Sequence, residues 1–350
     1  MGTSRRVLRT AVALAMAAAA IGATTAAGSA ASAAPAGSGT LRLGYFPNVT
    51  HATPLVGVQG GLFKAALGPS VTLKLSTFSA GPAAVEALLS NSIDASYVGP
   101  NPAINAFIQS HGAVRIVAGA ASGGAFLVVR PGITKAADLK GKVVASPQLG
   151  NTQDVALRTW LKQHGLKTSV NGGGDVSIRP EDNAVTLQAF EQHQIDGAWV
   201  PEPWATRLVT DGGGKVLVDE RALWPQGRFA TTELVVRTDY LKAHADVIQA
   251  LLEGQVDAVG LVQSDPTRAE QLVAQGIQAA TGQSLRATLI TASFAAITFT
   301  NDPIGSSLRT QAQEAHQLGL LAAARVNGIF DVRILNRVLR ARGKPAVSTS

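Results

Sequence analysis

Cysteine is absent from all 350 residues of this chain. The absence excludes disulfide bonds, thiolate metal sites and a cysteine nucleophile. We also expect no lipid anchor at the end of an export signal, because that anchor requires a cysteine. Beyond residue 40 the chain lacks any run of 18 consecutive apolar residues. The sequence therefore predicts no transmembrane helix in this part of the chain.

Motifs of common enzyme and metal sites are lacking as well. The sequence contains no G-x-S-x-G, H-E-x-x-H or G-x-x-x-x-G-K-[ST] pattern. Its six histidines are scattered and do not have the spacing of metal ligands. We therefore expect no catalytic residues, no metal and no cofactor, and a protein that binds its ligand without transforming it.

Charge is only modestly biased, with 30 basic and 23 acidic residues and a formal net charge of +7. Aromatic residues make up only 5% of the chain, and no run of lysines and arginines interleaves with them. A nucleic-acid partner is therefore not indicated. The small positive excess is compatible with attraction of an anionic ligand.

The N-terminal segment has the pattern of a cleavable signal peptide. Arg5, Arg6 and Arg9 precede an apolar stretch at 11–21, and an A-x-A cleavage site follows at 31–33. We predict a signal over residues 1–33, a flexible lead-in over 34–40 and an extracytoplasmic location. The paired arginines leave both the general secretory and the twin-arginine routes open.

One pattern occurs twice in the remaining chain. The sequence IDASYVGPNP at 93–102 resembles IDGAWVPEPW at 195–204, and each copy reads as a strand, a proline-rich turn and a helix. Strands and helices alternate around both copies, which predicts two α/β lobes with mostly parallel sheets flanked by helices. We assign 41–130 to the first lobe, 131–232 to the second, and 233–350 to the return and C-terminal helices, so the chain crosses the hinge twice.

Polar loops follow several predicted strands and precede helices. Asn48, Thr50 and His51 lie in the first such loop, and Asn151 and Thr152 follow Gly150 in a matching loop of the second half. A third loop, SAG at 79–81, repeats the layout. Free backbone N–H groups at helix starts favour anions, which predicts an anion site. Simple N-capping by these side chains is the alternative.

The second copy of the repeat places a carboxylate in a rigid turn. Glu202 lies between Pro201 and Pro203, with Trp199 and Trp204 nearby. This carboxylate has three possible roles: to bind an amine of the ligand, to pair with an arginine such as Arg207, or to lie on the surface.

With these motifs, the chain resembles the substrate-binding proteins of ABC importers for aliphatic sulfonates, nitrate and taurine. The resemblance rests on GYFPN at 44–48, LKGK at 139–142, GNT at 150–152 and WVPEP at 199–203, together with the first repeat. It implies a two-lobed fold of the type II periplasmic-binding-protein kind that closes on a small anion. It also implies a monomer that delivers its ligand to a membrane permease with a separate ATPase. The ligand contacts that it implies are Asn48, Thr50, His51, Gly81, Val98, Gly99, Asn151, Thr152, Trp199 and Glu202.

We predict a small organosulfonate as the ligand, with Phe46, Tyr97 and Trp199 as its apolar wall. Taurine would add an amine for which Glu202 is the obvious partner, and nitrate or a thiamine precursor are further alternatives. Desulfinases and thiamine-pyrimidine synthases resemble these binding proteins, but they rely on cysteine, which this chain lacks. A secreted sensor or adhesion module that uses the cleft only as a switch is a third class of protein.

Overall fold

The computed structural model describes residues 38–349. The predicted signal peptide lies outside the described residues. The strands have these bounds: β1 Gly39–Tyr45, β2 Val71–Thr77, β3 Ala95–Val98, β4 Val114–Gly123, β5 Ala125–Val129, β6 Val143–Ser146, β7 Ser177–Pro180, β8 Gly197–Pro201, β9 Lys215–Asp219, β10 Ala230–Arg237 and β11 Ile297–Phe299.

Helices separate most strands and dominate the last third of the chain. Their bounds are α1 Ala52–Gln59, α2 Leu62–Leu67, α3 Gly81–Leu89, α4 Pro100–Gln109, α5 Thr152–Gln163, α6 Asn183–Glu191, α7 Trp204–Thr210, α8 Thr238–Ala243, α9 Ala245–Ser264, α10 Pro266–Thr281, α11 Ala287–Ala295, α12 Gly305–Gln317 and α13 Arg333–Ala341. None of the helices within residues 38–349 combines the length and the hydrophobicity that a membrane span requires. The sequence predicted this helical region but missed the three-residue strand β11 within it.

The strands form two sheets, one of six strands in the order β11-β4-β10-β3-β1-β2 and one of five in the order β7-β6-β8-β5-β9. In each, three neighbouring strands are parallel: β1 with β2 and β3, and β6 with β7 and β8. Each sheet continues with an antiparallel strand. In the larger sheet β10 lies between β3 and β4, and in the smaller sheet β5 lies between β8 and β9. The predicted α/β fold with two helix-flanked sheets is confirmed.

The repeated sequence pattern has a physical basis in equivalent hydrogen bonds. Asp94 precedes β3, and its carboxylate accepts from the backbone N–H of Arg42 in β1 at 2.9 Å. Asp196 precedes β8, and its carboxylate accepts from the backbone N–H of Val143 in β6 at 3.0 Å. Each aspartate also donates its own N–H to the carbonyl of the same partner residue. The Ile-Asp pair therefore starts the central parallel pairing of both sheets.

The crossings between the sheets differ from the predicted boundaries. β5, which the prediction placed in the first lobe, belongs to the five-stranded sheet, and residues 230–232, placed in the second lobe, belong to β10 of the six-stranded sheet. The first crossing is at Gly124, between β4 and β5. Gly123 and Gly124 have φ values of +83° and +73°, a left-handed conformation in which the chain leaves one sheet and enters the other. The predicted boundary between residues 130 and 131 lies after β5, so it follows the crossing instead of marking it.

Glu233 is an unusual member of the six-stranded sheet, because its carboxylate is fully buried in β10. Neither carboxylate oxygen has a hydrogen-bond partner among residues 38–349. Burial, with a smaller contribution from Asp302, raises the pKa of Glu233 well above its ordinary value. The folded protein therefore keeps a proton on Glu233 over a pH range in which the unfolded chain has lost it.

Replacing Glu233 by glutamine is expected to make the free energy of unfolding less dependent on pH between about 4.5 and 8, because the variant has no buried carboxyl group that must ionise or keep a proton. A raised folded-state pKa gives stability that is present below pH ~4.5 and declines as the pH rises further. Urea unfolding from pH 4.5 to 8 should therefore show a shallower decline for the Glu233→Gln variant. Glu86→Gln, at an exposed position on α3, is the control and should leave the slope unchanged. Equal slopes in wild type and Glu233→Gln would contradict the expectation.

Candidate functional site

A small polar cavity lies at the carboxyl ends of the parallel strands of both sheets. Its volume is about 20 Å³, and since a water molecule needs roughly 10–15 Å³, it suits a small chemical group. The lining residues are Phe46, Asn48, Thr50, His51, Ser79, Ala80, Gly99 and Thr231 from the six-stranded half, and Asn151, Thr152, Gln153, Asn183 and Pro201 from the five-stranded half. Open α/β sheets bind their ligands at this position.

Four helices begin at the cavity. α3 starts after Ala80, α4 after Gly99, α5 after Asn151, and α6 starts with Asn183. Within the described residues, none of these helices has a side-chain hydrogen bond at its N-cap, and Asn48 makes none at the turn that leads to α1. The capping alternative is therefore wrong for Asn48 and Asn151. The helix-start N–H groups carry partial positive charge that favours an anion.

Hydrogen bonds fix the orientation of Asn48 and His51. The indole N–H of Trp204 donates to Oδ1 of Asn48 at 2.9 Å, which leaves the Asn48 NH₂ group as a donor. The backbone N–H of Phe46 donates to Nδ1 of His51 at 3.2 Å, so the neutral imidazole carries its proton on Nε2. Burial lowers the pKa of His51 to about 3. Both side chains thus offer N–H donors without a formal charge.

Thr152 brings a free hydroxyl to the cavity and touches the opposite half. Its Oγ1 is buried and has no hydrogen-bond partner in the described part of the chain. A buried polar atom of this kind costs about 1–3 kcal/mol, so it is expected to bond to a ligand. Gly99 faces this hydroxyl so closely that a Cβ on Gly99 would lie 2.4 Å from Oγ1. Glycine is therefore required for the two halves to approach at this point.

A buried ion pair anchors the start of α5. The Nε–H of Arg158 is shared between both carboxylate oxygens of Asp154, each 3.0 Å from Nε, and both side chains are at least 98% buried. Asp154 also accepts from the Ser146 hydroxyl at 2.8 Å and from the backbone N–H of Gly150 at 2.9 Å. Arg158 donates in turn to the carbonyl of Ser169. This network joins β6, the loop before α5 and the helix itself, and so positions Asn151 and Thr152.

The cavity is electrically neutral in its formal charges. Among the described residues that line it, none is a lysine, arginine, aspartate or glutamate, and His51 is neutral for the reason given above. Any attraction for an anion must therefore come from N–H and O–H dipoles and from the helix starts.

The predicted site residues divide into two groups. Six of the ten line the cavity: Asn48, Thr50, His51, Gly99, Asn151 and Thr152. The other four do not: Gly81, Val98, Trp199 and Glu202.

Packing accounts for the positions of three of these four residues. Gly81 lies just beyond the lining residue Ala80, against Pro102. Val98 is fully buried in the core beside α3 and α4. Trp199 is fully buried in the core of the five-stranded half, where its indole donates to Glu220 at 2.7 Å. Tyr97 is likewise a core residue, so neither it nor Trp199 forms the predicted apolar wall.

Glu202 is bound within the protein rather than exposed to the cavity. It accepts from the backbone N–H of Thr206 at 3.1 Å, from the Thr206 hydroxyl at 2.8 Å and from the Ser293 hydroxyl at 3.0 Å. Burial raises the pKa of Glu202, and these hydrogen bonds act in the opposite direction. The carboxylate joins the first turn of α7 to α11, a role that the sequence alternatives did not include.

Several lining residues were not among the predicted contacts. Asn183 and Gln153 each follow a strand of the five-stranded sheet, and Thr231 comes from the returning strand β10. The position of Asn183 at the start of α6 after β7 repeats the layout of the predicted loops and was available as a signal. Thr231 reaches the cavity only because β10 returns to the first sheet, which no local pattern reveals.

The two sheets joined by two crossings, with a cavity at their facing strand ends, define the periplasmic-binding-protein fold. The alkanesulfonate-binding protein SsuA from Xanthomonas axonopodis pv. citri, bound to MOPS, superposes with a TM-score of 0.68 at 22% identity, over 83% of this chain and 96% of that one. The periplasmic nitrate-binding protein NrtA from Synechocystis PCC 6803 superposes with a TM-score of 0.71 at 17% identity, over 88% and 90%. At these identities the likeness establishes the fold.

The chain belongs to the NMT1-like family, whose family model matches residues 34–278. A curated relative, the taurine-binding periplasmic protein of Escherichia coli strain K12, is 31% identical over 188 residues. That match spans 53% of this chain and 56% of the relative, so the chain covers little more than half of the relative's length. The resemblance to the sulfonate, nitrate and taurine branch of binding proteins is thereby confirmed.

Proposed function

We propose that this protein is an extracytoplasmic solute-binding protein that captures a small organosulfonate and delivers it to an ABC importer. The observation that carries the proposal is the convergence of four uncapped helix starts with Asn48, His51 and Thr152 on one cavity without formal charge. Three sulfonate oxygens accept several hydrogen bonds at once, which matches a set of neutral donors. The taurine-binding relative supports a sulfonate as the class of ligand.

Among sulfonates, an alkanesulfonate without an amine fits better than taurine. Taurine carries an ammonium group, which needs an acidic or carbonyl partner in a buried site. Among the described lining residues there is no carboxylate, and Glu202 is committed to Thr206 and Ser293. Phe46 and Pro201 supply apolar surface for a short alkyl chain.

The proposed function is binding without chemical turnover. A hydrolase on this fold would use His51 as its general base, but Nδ1 of His51 already accepts a backbone hydrogen bond and burial lowers the pKa of His51 to about 3. A group with so low a pKa is a poor general base near neutral pH. The permease and the ATPase are the partners that this function requires.

Calorimetric titration tests the ligand assignment. Methanesulfonate, ethanesulfonate, butanesulfonate, taurine, nitrate and sulfate would each be titrated into the purified protein. An alkanesulfonate should bind with a dissociation constant of about 1 μM or tighter, corresponding to roughly −8 kcal/mol, and taurine at least about tenfold more weakly. Binding of nitrate alone, or tighter binding of taurine, would overturn the alkanesulfonate assignment.

The matched variants are Thr152→Val and Thr72→Val. Valine keeps the shape of threonine and removes the hydroxyl, so Thr152→Val should weaken alkanesulfonate binding about tenfold through loss of one hydrogen bond. Thr72 lies on the exposed side of β2, and its replacement should have no effect. Equal affinities in the two variants would exclude the Thr152 hydroxyl from the site.

Alkanesulfonate affinity is expected to change less than about twofold between pH 5 and pH 8. Sulfonates stay ionised in this range, and His51, whose pKa burial lowers to about 3, stays neutral in it. Titrations at pH 5, 6.5 and 8 in one buffer system would measure this. A loss of affinity as the pH rises through 6 to 7 would mean that a protonated His51 binds the ligand.

A further inference from the structure

A second cavity of about 270 Å³ lies apart from the first. It is enclosed by the later turns of α5, by α12 and by the segment that leads from β9 back to β10. The lining residues are Ala156, Thr159, Trp160, Gln163, Glu220, Leu223, Trp224, Pro225, Thr310 and Glu314. It is much larger than the first cavity. Its lining contains acidic side chains, whereas the lining of the first cavity contains none.

Two glutamate carboxyl groups line this cavity, and no described lining residue is a lysine or arginine that could pair with them. Glu220 is 99% buried, and one of its oxygens accepts from Trp199 while the other, Oε1, has no hydrogen-bond partner within residues 38–349. Burial raises the pKa of Glu220 to about 8, hydrogen bonding from the Trp199 and Trp224 indoles acts in the opposite direction, and Glu314 adds a smaller upward contribution. Burial raises the pKa of Glu314 to about 7.

Two tryptophans supply aromatic surface beside these carboxylates. Trp160 packs edge-on against Trp199 with ring centroids 6.2 Å apart, and Trp224 stacks on Phe229 at 5.5 Å. Both rings are therefore held in place by aromatic neighbours. Tryptophan is the side chain that interacts most strongly with a cation over its ring face. The Thr159 hydroxyl, buried and without a partner in the described part of the chain, adds a further acceptor.

We propose that this second cavity binds a small organic ammonium ion, with the charged nitrogen at Glu220 and Glu314 and the alkyl part against Trp160 and Trp224. A primary ammonium has N–H donors for the free Oε1 of Glu220 and for Thr159, which a quaternary ammonium lacks. A metal ion is a poorer fit, because the described residues contain no group of three acidic, histidine or cysteine side chains that could hold one. The proposal is independent of which anion occupies the first cavity.

One helix takes part in both cavities. The first turn of α5 supplies Thr152 and Gln153 to the first cavity, and its later turns supply Thr159 and Trp160 to the second. α12 belongs to the other half of the molecule and closes the second cavity against α5. An ammonium ion bound there therefore contacts both halves.

The test is a calorimetric titration of the whole protein with n-butylammonium, with n-butanol as the neutral probe of the same shape. The ammonium should bind saturably with a dissociation constant of about 1 mM or below, and n-butanol at least about tenfold more weakly. Tetramethylammonium should bind more weakly than n-butylammonium because it has no N–H donor. Equal binding of the ammonium and the alcohol, or no saturation by either, would overturn the proposal.

Variants assign the binding to this cavity. Glu220→Gln and Glu314→Gln should each weaken n-butylammonium binding about tenfold, and Trp224→Ala about threefold to tenfold. Glu220 also accepts from Trp199, so its replacement affects the core as well as the cavity. If the Glu220 variant does not fold, the variant of the partly exposed Glu314 still tests the proposal. Glu253→Gln on α9, where Gln249 bonds to the carboxylate, is the control and should leave binding unchanged. Unchanged binding in the Glu314 and Trp224 variants would show that the ammonium binds elsewhere.

Discussion

A Gly99→Ala variant is expected to lose about 10- to 100-fold in affinity for the ligand of the first cavity. The added Cβ would lie 2.4 Å from Oγ1 of Thr152, far inside normal contact distance. Gly99 belongs to the six-stranded half and Thr152 to the five-stranded half, so the clash opposes their approach directly. Overpacking of this kind costs about 1–3 kcal/mol, and each 1.4 kcal/mol is about tenfold in affinity.

Gly260→Ala is the matched control for this experiment. Gly260 lies within α9, and a Cβ there meets no atom within 4 Å. Alanine should therefore stabilise the helix by about 0.5–1 kcal/mol and leave affinity unchanged. Titration and thermal unfolding of both variants separate a loss of binding from a loss of folding. If Gly99→Ala bound as tightly as wild type, the close contact between the halves would not be part of the ligand-bound state.

Replacing Asp154 by alanine is expected to lower the free energy of unfolding by about 3–5 kcal/mol. The substitution leaves the Arg158 guanidinium buried without its partner, since Arg158 is only 2% exposed. It also removes the acceptors for the Ser146 hydroxyl and the Gly150 N–H. The free energy of unfolding, measured in urea, would report the loss.

A double variant separates the effect of the buried charges on stability from the effect of the hydrogen-bond network on the position of the loop before α5. Asp154→Leu with Arg158→Met replaces the ion pair by apolar side chains, which is often neutral for stability or even favourable. It should recover most of the lost stability but little of the ligand affinity, because the Gly150 N–H still lacks its acceptor and the loop before α5 is no longer held. Full recovery of affinity in the double variant would show that the ion pair does not position the loop.

Local patterns predicted the parts of the site that local structure determines. Each loop that was identified follows a parallel strand and precedes a helix, and such loops meet at one edge of a sheet. Asn48, His51 and Thr152 reached the cavity for that reason. The Ile-Asp pairs were predictive because each aspartate starts the same pairing between neighbouring strands.

The failures came from properties that depend on distant parts of the chain. Trp199 packs against Trp160 in the core, and its indole donates to Glu220, 21 residues later. Glu202 bonds to Thr206, four residues later, but its contact with α11 comes from Ser293, 91 residues away. The crossing was misplaced because two adjacent strands with a glycine turn are typical of a hairpin, whereas here they enter different sheets. The sequence separation of these contacts puts them beyond any local pattern.

The neutrality of the first cavity has a consequence for how its ligand leaves. A lysine or arginine would keep attracting an anion across several ångströms, even after the two halves had moved apart. Hydrogen bonds from N–H and O–H groups lose their strength over a much shorter distance, and water replaces them readily. Because each half supplies only part of the donor set, separation of the halves by a few ångströms should release the anion quickly, at any physiological salt concentration. The distance between Gly99 and Thr152 would then govern both the retention and the release of the ligand.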